Sequence, residues 1–250
     1  MFGMVHLKPL PGAPLFGGSL AEVIDGAVRD ARAIAGGGAD GILVENFGDR
    51  PFFAMRVPPE TIASMTRIIA EIAGAIRSLL GVNVLRNDAR AALAIAAAVG
   101  ASFIRVNVHT GAMVTDQGII EGDAAETLRY RSGVAPDVAI FADHLVKHAT
   151  PLANVDVVQS AKDLRQRGLA DAIIVTGAET GAAADPKRIE MLREVVDAPL
   201  IVGSGLDENN AAAFAEADGA IVGTALKRDG NVDQARVERI VRAFKLRGGR

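Results

Sequence analysis

Short apolar runs rich in β-branched residues recur along the chain, and each follows a turn of small residues. Gly38-Ala39-Asp40-Gly41 leads into Ile42-Leu43-Val44, and Gly100-Ala101-Ser102 into Phe103-Ile104-Arg105-Val106. Gly168-Leu169-Ala170-Asp171 leads into Ala172-Ile173-Ile174-Val175, and Ala217-Asp218-Gly219 into Ala220-Ile221-Val222. Gly and Asp end a helix and turn the chain, and runs this short without polar alternation suit parallel strands buried on both faces. The same reading predicts eight strands, over residues 2–7, 42–46, 82–86, 103–108, 138–143, 173–176, 200–203 and 220–223. Helical periodicity separates most of them, over residues 20–35, 61–80, 89–99, 156–167, 186–196 and 208–216, and an amphipathic helix follows over 233–246. Seven repeats span the 216 residues from Gly3 to Gly219, about 31 each, the size of a right-handed βα unit. Eight such units predict an α/β fold with one domain over residues 1–250, a closed (β/α)8 TIM barrel. A doubly wound open sheet is the competing arrangement. One insertion interrupts the repeat. Residues 113–122 place Asp116-Gln117-Gly118 between apolar pairs, the pattern of a small hairpin, and a helix near 124–130 follows.

Composition narrows the class of protein. There are 27 Lys+Arg against 30 Asp+Glu, a formal net charge of −3, so the basic excess of a nucleic-acid binder is missing and no such partner is expected. No cysteine is present, which removes disulfides, thiol nucleophiles, iron–sulfur clusters and cysteine zinc sites. The first residues run straight into an apolar segment without a basic leader. The longest apolar stretches, 62–80 and 89–101, are rich in Ala and interrupted by Arg67, Glu71, Arg77 and Arg90. Neither a targeting segment nor an integral membrane span is expected, and the expected location is cytoplasmic, with peripheral membrane contact as the alternative.

In a closed barrel, reactive groups collect where the carboxyl ends of the strands meet. His6 ends the first predicted strand, with Lys8 just beyond; Glu45-Asn46 end the second, with Asp49 in the next loop. Arg86-Asn87-Asp88 end the third, Asn107 and His109 the fourth, and Asp143-His144 the fifth, followed by Lys147-His148; Thr176-Gly177 end the sixth. On the fourth strand Arg105, Asn107 and His109 share one parity, and Ile104, Val106 and Val108 the other. The outer face must meet apolar helices, so the polar set is expected to point inward. Inward polar groups are costly unless paired, so they read either as a satisfied buried network or as the lining of a ligand site.

Two late loops add a different signal. Ile201-Val202-Gly203-Ser204-Gly205 and Ile221-Val222-Gly223-Thr224-Ala225 follow the last two strands, where many barrels hold a phosphate. Glycines there let backbone amides approach an anion, although they also make tight turns. Thr176, Gly177, Gly203, Ser204, Gly205, Gly223 and Thr224 form the candidate phosphate-binding set, which makes the barrel one of phosphate-binding type. Lys227-Arg228 add local charge of a kind that is usually solvated. Lys147 admits three readings: a Schiff base, a partner for a phosphate, or an ion pair with Asp143. Glu45, His109 and Asp143 or His144 are ligand types for a divalent metal, but no sequence spacing links them, and no cofactor is expected.

The opening Gly3-Met4-Val5-His6-Leu7-Lys8-Pro9-Leu10-Pro11-Gly12 resembles the signature of the BtpA/SgcQ family. So do Val44-Glu45-Asn46-Phe47-Gly48-Asp49-Arg50-Pro51-Phe52, Ile104-Arg105-Val106-Asn107-Val108-His109-Thr110-Gly111 and Thr115-Asp116-Gln117-Gly118. Val146-Lys147-His148-Ala149-Thr150-Pro151-Leu152, Val175-Thr176-Gly177 and Val222-Gly223-Thr224-Ala225-Leu226-Lys227 complete a resemblance that covers essentially the whole chain. The chain departs from that pattern at His144, where a valine is expected, and at Gly205-Leu206-Asp207-Glu208-Asn209, where relatives usually carry a proline in the loop. The resemblance implies a TIM barrel and relatives named for biogenesis of a membrane complex, photosystem I, together with members associated with sugar utilisation.

Residues and resemblance together lead to the expectation of an enzyme acting on a small phosphorylated molecule, a sugar phosphate or nucleotide fragment, by isomerase- or lyase-like proton transfer beside a carbonyl. The catalytic candidates are His6, Glu45, Asp143, Lys147 and His148. The substrate-binding candidates are Lys8, Asn46, Asp49, Arg86, Arg105, Asn107 and His109. The alternative is a non-catalytic biogenesis or stability factor for a membrane complex. Ile62, Met65, Ile68 and Ile69 either join copies into a homo-oligomer or form the inner face of an ordinary helix.

Overall fold

The buried apolar runs pair edge to edge until no edge is left. A computed structural model of the chain describes residues 1–177, 179 and 181–246. In chain order its strands are β1 (Phe2–His6), β2 (Gly41–Glu45), β3 (Leu79–Asn83), β4 (Phe103–Val106), β5 (Ala112–Thr115), β6 (Gly118–Glu121), β7 (Ala139–His144), β8 (Ala149–Pro151), β9 (Ala172–Val175), β10 (Leu200–Val202), β11 (Gly219–Val222), β12 (Lys227–Arg228) and β13 (Asn231–Val232). The helices are α1 (Leu20–Gly36), α2 (Pro59–Ala75), α3 (Ala89–Val99), α4 (Ala124–Val134), α5 (Val157–Gln166), α6 (Pro186–Arg193) and α7 (Gln234–Leu246), with 3-10 turns at Ala211–Phe214 and Thr224–Leu226. Strands β1, β2, β3, β4, β7, β9, β10 and β11 pair in that order. β11 returns to β1 in parallel, Phe2 opposite Ile221 and Gly3 opposite Val222, so the barrel is closed and the open-sheet alternative falls.

Alternation along each strand sorts the core into two layers. Met4, Leu43, Phe103, Ile174, Ile201 and Ile221 fill the barrel with Phe2 and Phe141. The Phe103 and Phe141 rings stack with centroids 4.5 Å apart. Residues of opposite parity, such as Val5, Val44, Val82, Ile104 and Ile173, join the core between strands and helices. Met65, Ile68 and Ile69 are fully buried in that core, so of the two readings of this stripe the inner helix face holds. Ser19 caps α1 through Glu22 N, and Asp88 caps α3 through Ala91 N, 2.9 Å away.

Several boundaries differ from expectation. Helix α2 stops at Ala75, not at 80, because Ile76 is extended and Leu79 and Leu80 pair with Gly41 and Ile42 of β2. β3 therefore begins and ends three residues earlier than 82–86, and the strand end is Asn83. The segment expected as a helix over 208–216 forms only the 3-10 turn Ala211–Phe214. The insertion does form a hairpin, β5 with β6 around Asp116-Gln117, and β8 joins it into a three-stranded sheet beside the carboxyl ends of β4 and β7.

Candidate active site

Strand register decides which polar residues share a level. His6 lies opposite Glu45, and Glu45 opposite Asn83. Val82 pairs with Ile104, which sets Arg105 level with Asn83. These residues continue the inward parity of Met4, Leu43 and Phe103, so a polar layer caps the apolar interior. Arg105 reaches Asp143 on β7 as a fork, Nε to Oδ1 at 2.9 Å and Nη2 to Oδ2 at 2.8 Å. Asn107 Nδ2 also donates to Asp143 Oδ2 (3.2 Å), and Asn83 Nδ2 donates to Asn107 Oδ1 (3.0 Å) and to the Arg105 carbonyl (3.1 Å). Both charges are almost fully buried. Such a pair persists when the geometry is bidentate, as it is here, and Asn107 gives the carboxylate a third donor; Asn83 Oδ1, in the same layer, is buried without a partner among the described residues.

Above this layer lies a cavity of about 240 Å³. His6, Glu45, Arg105 and Lys147 form one side; Gly203, Ser204, Gly205 and Leu206 after β10 and Gly223, Thr224 and Ala225 after β11 form the other. Among the described residues, the backbone amides of Ser204, Gly205, Thr224 and Ala225 donate to no protein acceptor. Ser204 is pinned: its Oγ accepts from Gly177 N (2.7 Å) and donates to the Ala182 carbonyl (2.9 Å). Gly205 has φ +68°, and a Cβ there would lie 2.3 Å from the Ala183 backbone. At Gly223 a Cβ would lie 3.0 Å from His6 Cε1, so the missing side chain lets the imidazole approach the loop.

Burial sets the electrostatics of the charged side. It pushes the Glu45 carboxyl above its usual range, against the pull of Arg105 and Lys147. It pushes the Lys147 amine down, and Arg105 adds to that. His6 is lowered to about 3, by burial first and then by Lys227, Lys147 and Arg105, so it is a neutral imidazole at pH 7. Its Nε2 lies 3.6 Å from Glu45 Oε1, an approach of a neutral ring to a carboxyl rather than an ion pair. Its Nδ1 is 3.0 Å from Lys227 Nζ, and Phe47 stacks on the ring at 4.6 Å. Nζ of Lys147 makes no hydrogen bond with a described residue, and the Lys147 carbonyl accepts from Arg86 Nη2 at 2.7 Å.

Several expected site residues do not reach this cavity. Lys8 and His148 are exposed and do not line it. Arg86 lies in the loop after β3 and braces Lys147 through that carbonyl bond. Asn46 ties loops together, Oδ1 accepting from Leu85 N (2.7 Å) and Nδ2 donating to Asp49 Oδ2 (3.1 Å), and Asp49 Oδ1 accepts from Leu10 N (2.8 Å). Both line a separate apolar cavity between the β1 and β2 loops. Asp143 and Asn107 serve the Arg105 network and face another cavity under the β5–β6 hairpin. Thr176 is buried against Gly203, and Gly177 supports Ser204.

His109 corrects the parity argument. β4 ends at Val106, alternation stops there, and the His109 ring turns into the helix shell, with Nε2 2.8 Å from the Gly168 carbonyl after α5. His144 likewise faces Ser160 Oγ (2.8 Å) and Arg188 Nη2 (3.0 Å) on α5 and α6. The metal alternative needed His109 beside Glu45, with Asp143 or His144 as a further ligand, and the His109 ring is turned to the Gly168 carbonyl instead. Among the described residues no cluster of three or more His, Asp or Glu side chains has metal-binding geometry. Asn83 was not among the expected site residues, and correct placement of the third strand would have found it. Lys227, expected as part of a usually solvated basic pair, instead meets His6, a partner that no local pattern marks.

The comparisons agree with this architecture. The model of the BtpA family matches residues 1–246. Photosystem I biogenesis protein BtpA of Synechocystis sp. is 48% identical over 237 residues, 94% of this chain and 83% of that one. Among solved structures, thiamine phosphate pyrophosphorylase from Pyrococcus furiosus superposes with a TM-score of 0.64 at 14% identity, covering 99% and 96% of the two chains. (S)-3-O-geranylgeranylglyceryl phosphate synthase from Thermoplasma acidophilum, in complex with sn-glycerol-1-phosphate, gives 0.61 at 16% identity, covering 98% and 92%. At these identities the likeness is one of fold, a TIM barrel. No helix among the described residues is long and apolar enough to cross a membrane.

Proposed function

The chain belongs to the BtpA family, and from that premise we propose that its barrel mouth binds a small phosphorylated compound and moves a proton beside its carbonyl. The observation that carries this reading is one cavity walled on one side by glycine loops with unengaged amides and on the other by Glu45, Lys147, His6 and Arg105. The amides of Ser204, Gly205, Thr224 and Ala225 suit phosphate oxygens, in the loops where barrels commonly hold that group. Two proteins of the same fold, named above, are themselves named for phosphate esters.

Glu45 takes a proton from the carbon next to the carbonyl. Its raised pKa brings the carboxylate closer to the strength needed near neutral pH. Lys147 stabilises the oxyanion that forms, its charge strengthened by exclusion of water. Neutral His6 donates a hydrogen bond to the same oxygen, and Arg105, immobilised by Asp143, holds a neighbouring substrate oxygen. Return of the proton to an adjacent carbon gives an isomerase, and loss of a β-leaving group gives a lyase. The substrate class is a sugar phosphate or a nucleotide fragment.

The test has two arms. Thermal-shift measurements with inorganic phosphate, glycerol phosphates, sugar phosphates and nucleotides are expected to find stabilising ligands, and Gly223→Val is expected to abolish the response. Ligands that bind are then followed by proton NMR in D2O, where exchange of the α-proton is expected. No stabilisation by any phosphorylated compound overturns the reading. Binding without exchange favours a non-catalytic biogenesis factor, the role for which the Synechocystis relative is named.

A further inference from the structure

His6 meets titratable or charged groups from several elements. Lys227 at the start of β12 sets Nζ 3.0 Å from Nδ1, and Glu45 on β2 sets Oε1 3.6 Å from Nε2. Lys147, in the segment between β7 and β8, and Arg105 on β4 act on it at longer range. The Lys227 side chain is delivered by a braced hairpin. β12 pairs with β13, Lys227 opposite Val232, and Val232 N donates to Asp30 Oδ1 on α1 at 3.4 Å. Arg29 on the same helix donates to Asn231 Oδ1 at 2.7 Å. Asp30 and Glu45 are the carboxylates that face the Lys227 charge.

An ammonium group has three donors and no lone pair, so an imidazole nitrogen at hydrogen-bond distance from it must accept. A neutral ring carries one proton, and the other nitrogen then holds it. We propose that Lys227 is a positioning residue that fixes His6 as the Nε2–H tautomer, so that the ring enters the cavity as a hydrogen-bond donor and not as a base. Lys227 does this from a residue 221 positions away, and it has no contact with substrate in this role. Joined to the proposed function, the consequence is a specificity rule: the substrate atom at Nε2 is an acceptor, such as a carbonyl oxygen, and proton abstraction falls to Glu45. His144 provides an internal comparison. There a guanidinium, Arg188 Nη2, lies 3.0 Å from Nδ1, and Nε2 is left to donate to Ser160 Oγ.

The experiment is a long-range proton–nitrogen NMR correlation of the histidine rings in the full chain, with His6 assigned by loss of its signals in His6→Gln. The wild type is expected to show Nδ1 unprotonated and Nε2 protonated, unchanged from pH 8 to pH 5. Lys227→Glu replaces the donor by an acceptor, and the proton is expected to move to Nδ1; Lys227→Arg is expected to preserve the wild-type pattern. The His144 signals report whether each variant is folded. If Lys227→Glu does not fold, Lys227→Met takes its place, with loss of the hydrogen-bonded Nδ1 shift and appearance of the second tautomer expected. A proton on Nδ1 in the wild type overturns the proposal, as do His6 signals in Lys227→Glu or Lys227→Met that superpose on those of the wild type. No ligand is required, so this result is independent of whether any phosphorylated compound binds.

Discussion

From β1 to β7 the barrel mouth presents a polar or charged side chain at each inward position of its top layer: His6, Glu45, Asn83, Arg105 and Asp143. From β9 to β11 the corresponding positions are Thr176, Gly203 and Gly223. The first half holds its chemistry in side chains, and each must be paired or desolvated in a defined way. The second half holds it in the backbone, and at Gly203 and Gly223 its requirement is that side chains be absent. Charge in the first half depends on paired side chains, whereas the amide donors in the second depend on turns and on close backbone packing, Ser204 on Gly177 and Ala182 and Gly205 on Ala183. The two halves should therefore fail differently when altered.

The largest separation is expected for Glu45→Gln. It should slow α-proton exchange by about 10²- to 10⁴-fold, the usual contribution of a general base, and leave the thermal shift with phosphate esters in place. Loss of binding together with exchange would erase the distinction between the halves. Next comes Asp143→Ala, which strips the buried Arg105 of its counter-ion and should cost about 3–5 kcal/mol in urea unfolding. Gly205→Ala probes the other half. At φ +68° a Cβ costs about 1–2 kcal/mol from handedness alone. It also meets the Ala183 backbone, which cannot swing aside, so the phosphate thermal shift should vanish while the exposed His148 ring signals stay unchanged.

The last effect concerns pH. His6 and His144 are both lowered to about 3 from an ordinary 6.5. As pH falls below 6.5 the unfolded chain takes up protons that the folded rings refuse. Their contribution to stability is therefore complete above 6.5 and is lost progressively toward 3. Glu45 acts in the opposite sense: its raised pKa means that the folded state binds the proton more readily, and stability declines as pH rises above the unfolded value of 4.5. Chemical denaturation between pH 7.5 and 5 should show the histidine-driven loss, and His144→Gln should flatten it. An acid limb that starts only near pH 4 would contradict the burial of both rings.

Legibility divides along the same line. The glycine loops could be read directly, because Gly203-Ser204-Gly205 and Gly223-Thr224 announce close backbone approach without reference to anything distant. Glu45, Arg105 and Lys147 could be located by their places at or just beyond strand ends, but not their partners. Asn83 went unread because the apolar periodicity of α2 runs on through Leu79 and Leu80, residues that pairing with β2 claims for a strand. Arg86 was assigned to a strand end for the same reason. His109 and His144 have the right sequence position and the wrong direction, for different reasons: His109 lies beyond the end of the β4 ladder, where alternation no longer holds, whereas His144 is still paired in β7 and takes the outward parity opposite to Asp143.

By itself the sequence determined the eight βα units, the closed barrel they imply and the two glycine loops, because hydrophobic period and turn chemistry are local properties written in consecutive residues. Only the tertiary structure decided that Asp143 neutralises Arg105, that Lys227 meets His6 across 221 positions, and that water is excluded strongly enough to hold His6 neutral and raise Glu45. Charge and proton affinity are set by distance and burial in three dimensions, and neither is a property of neighbours along the chain.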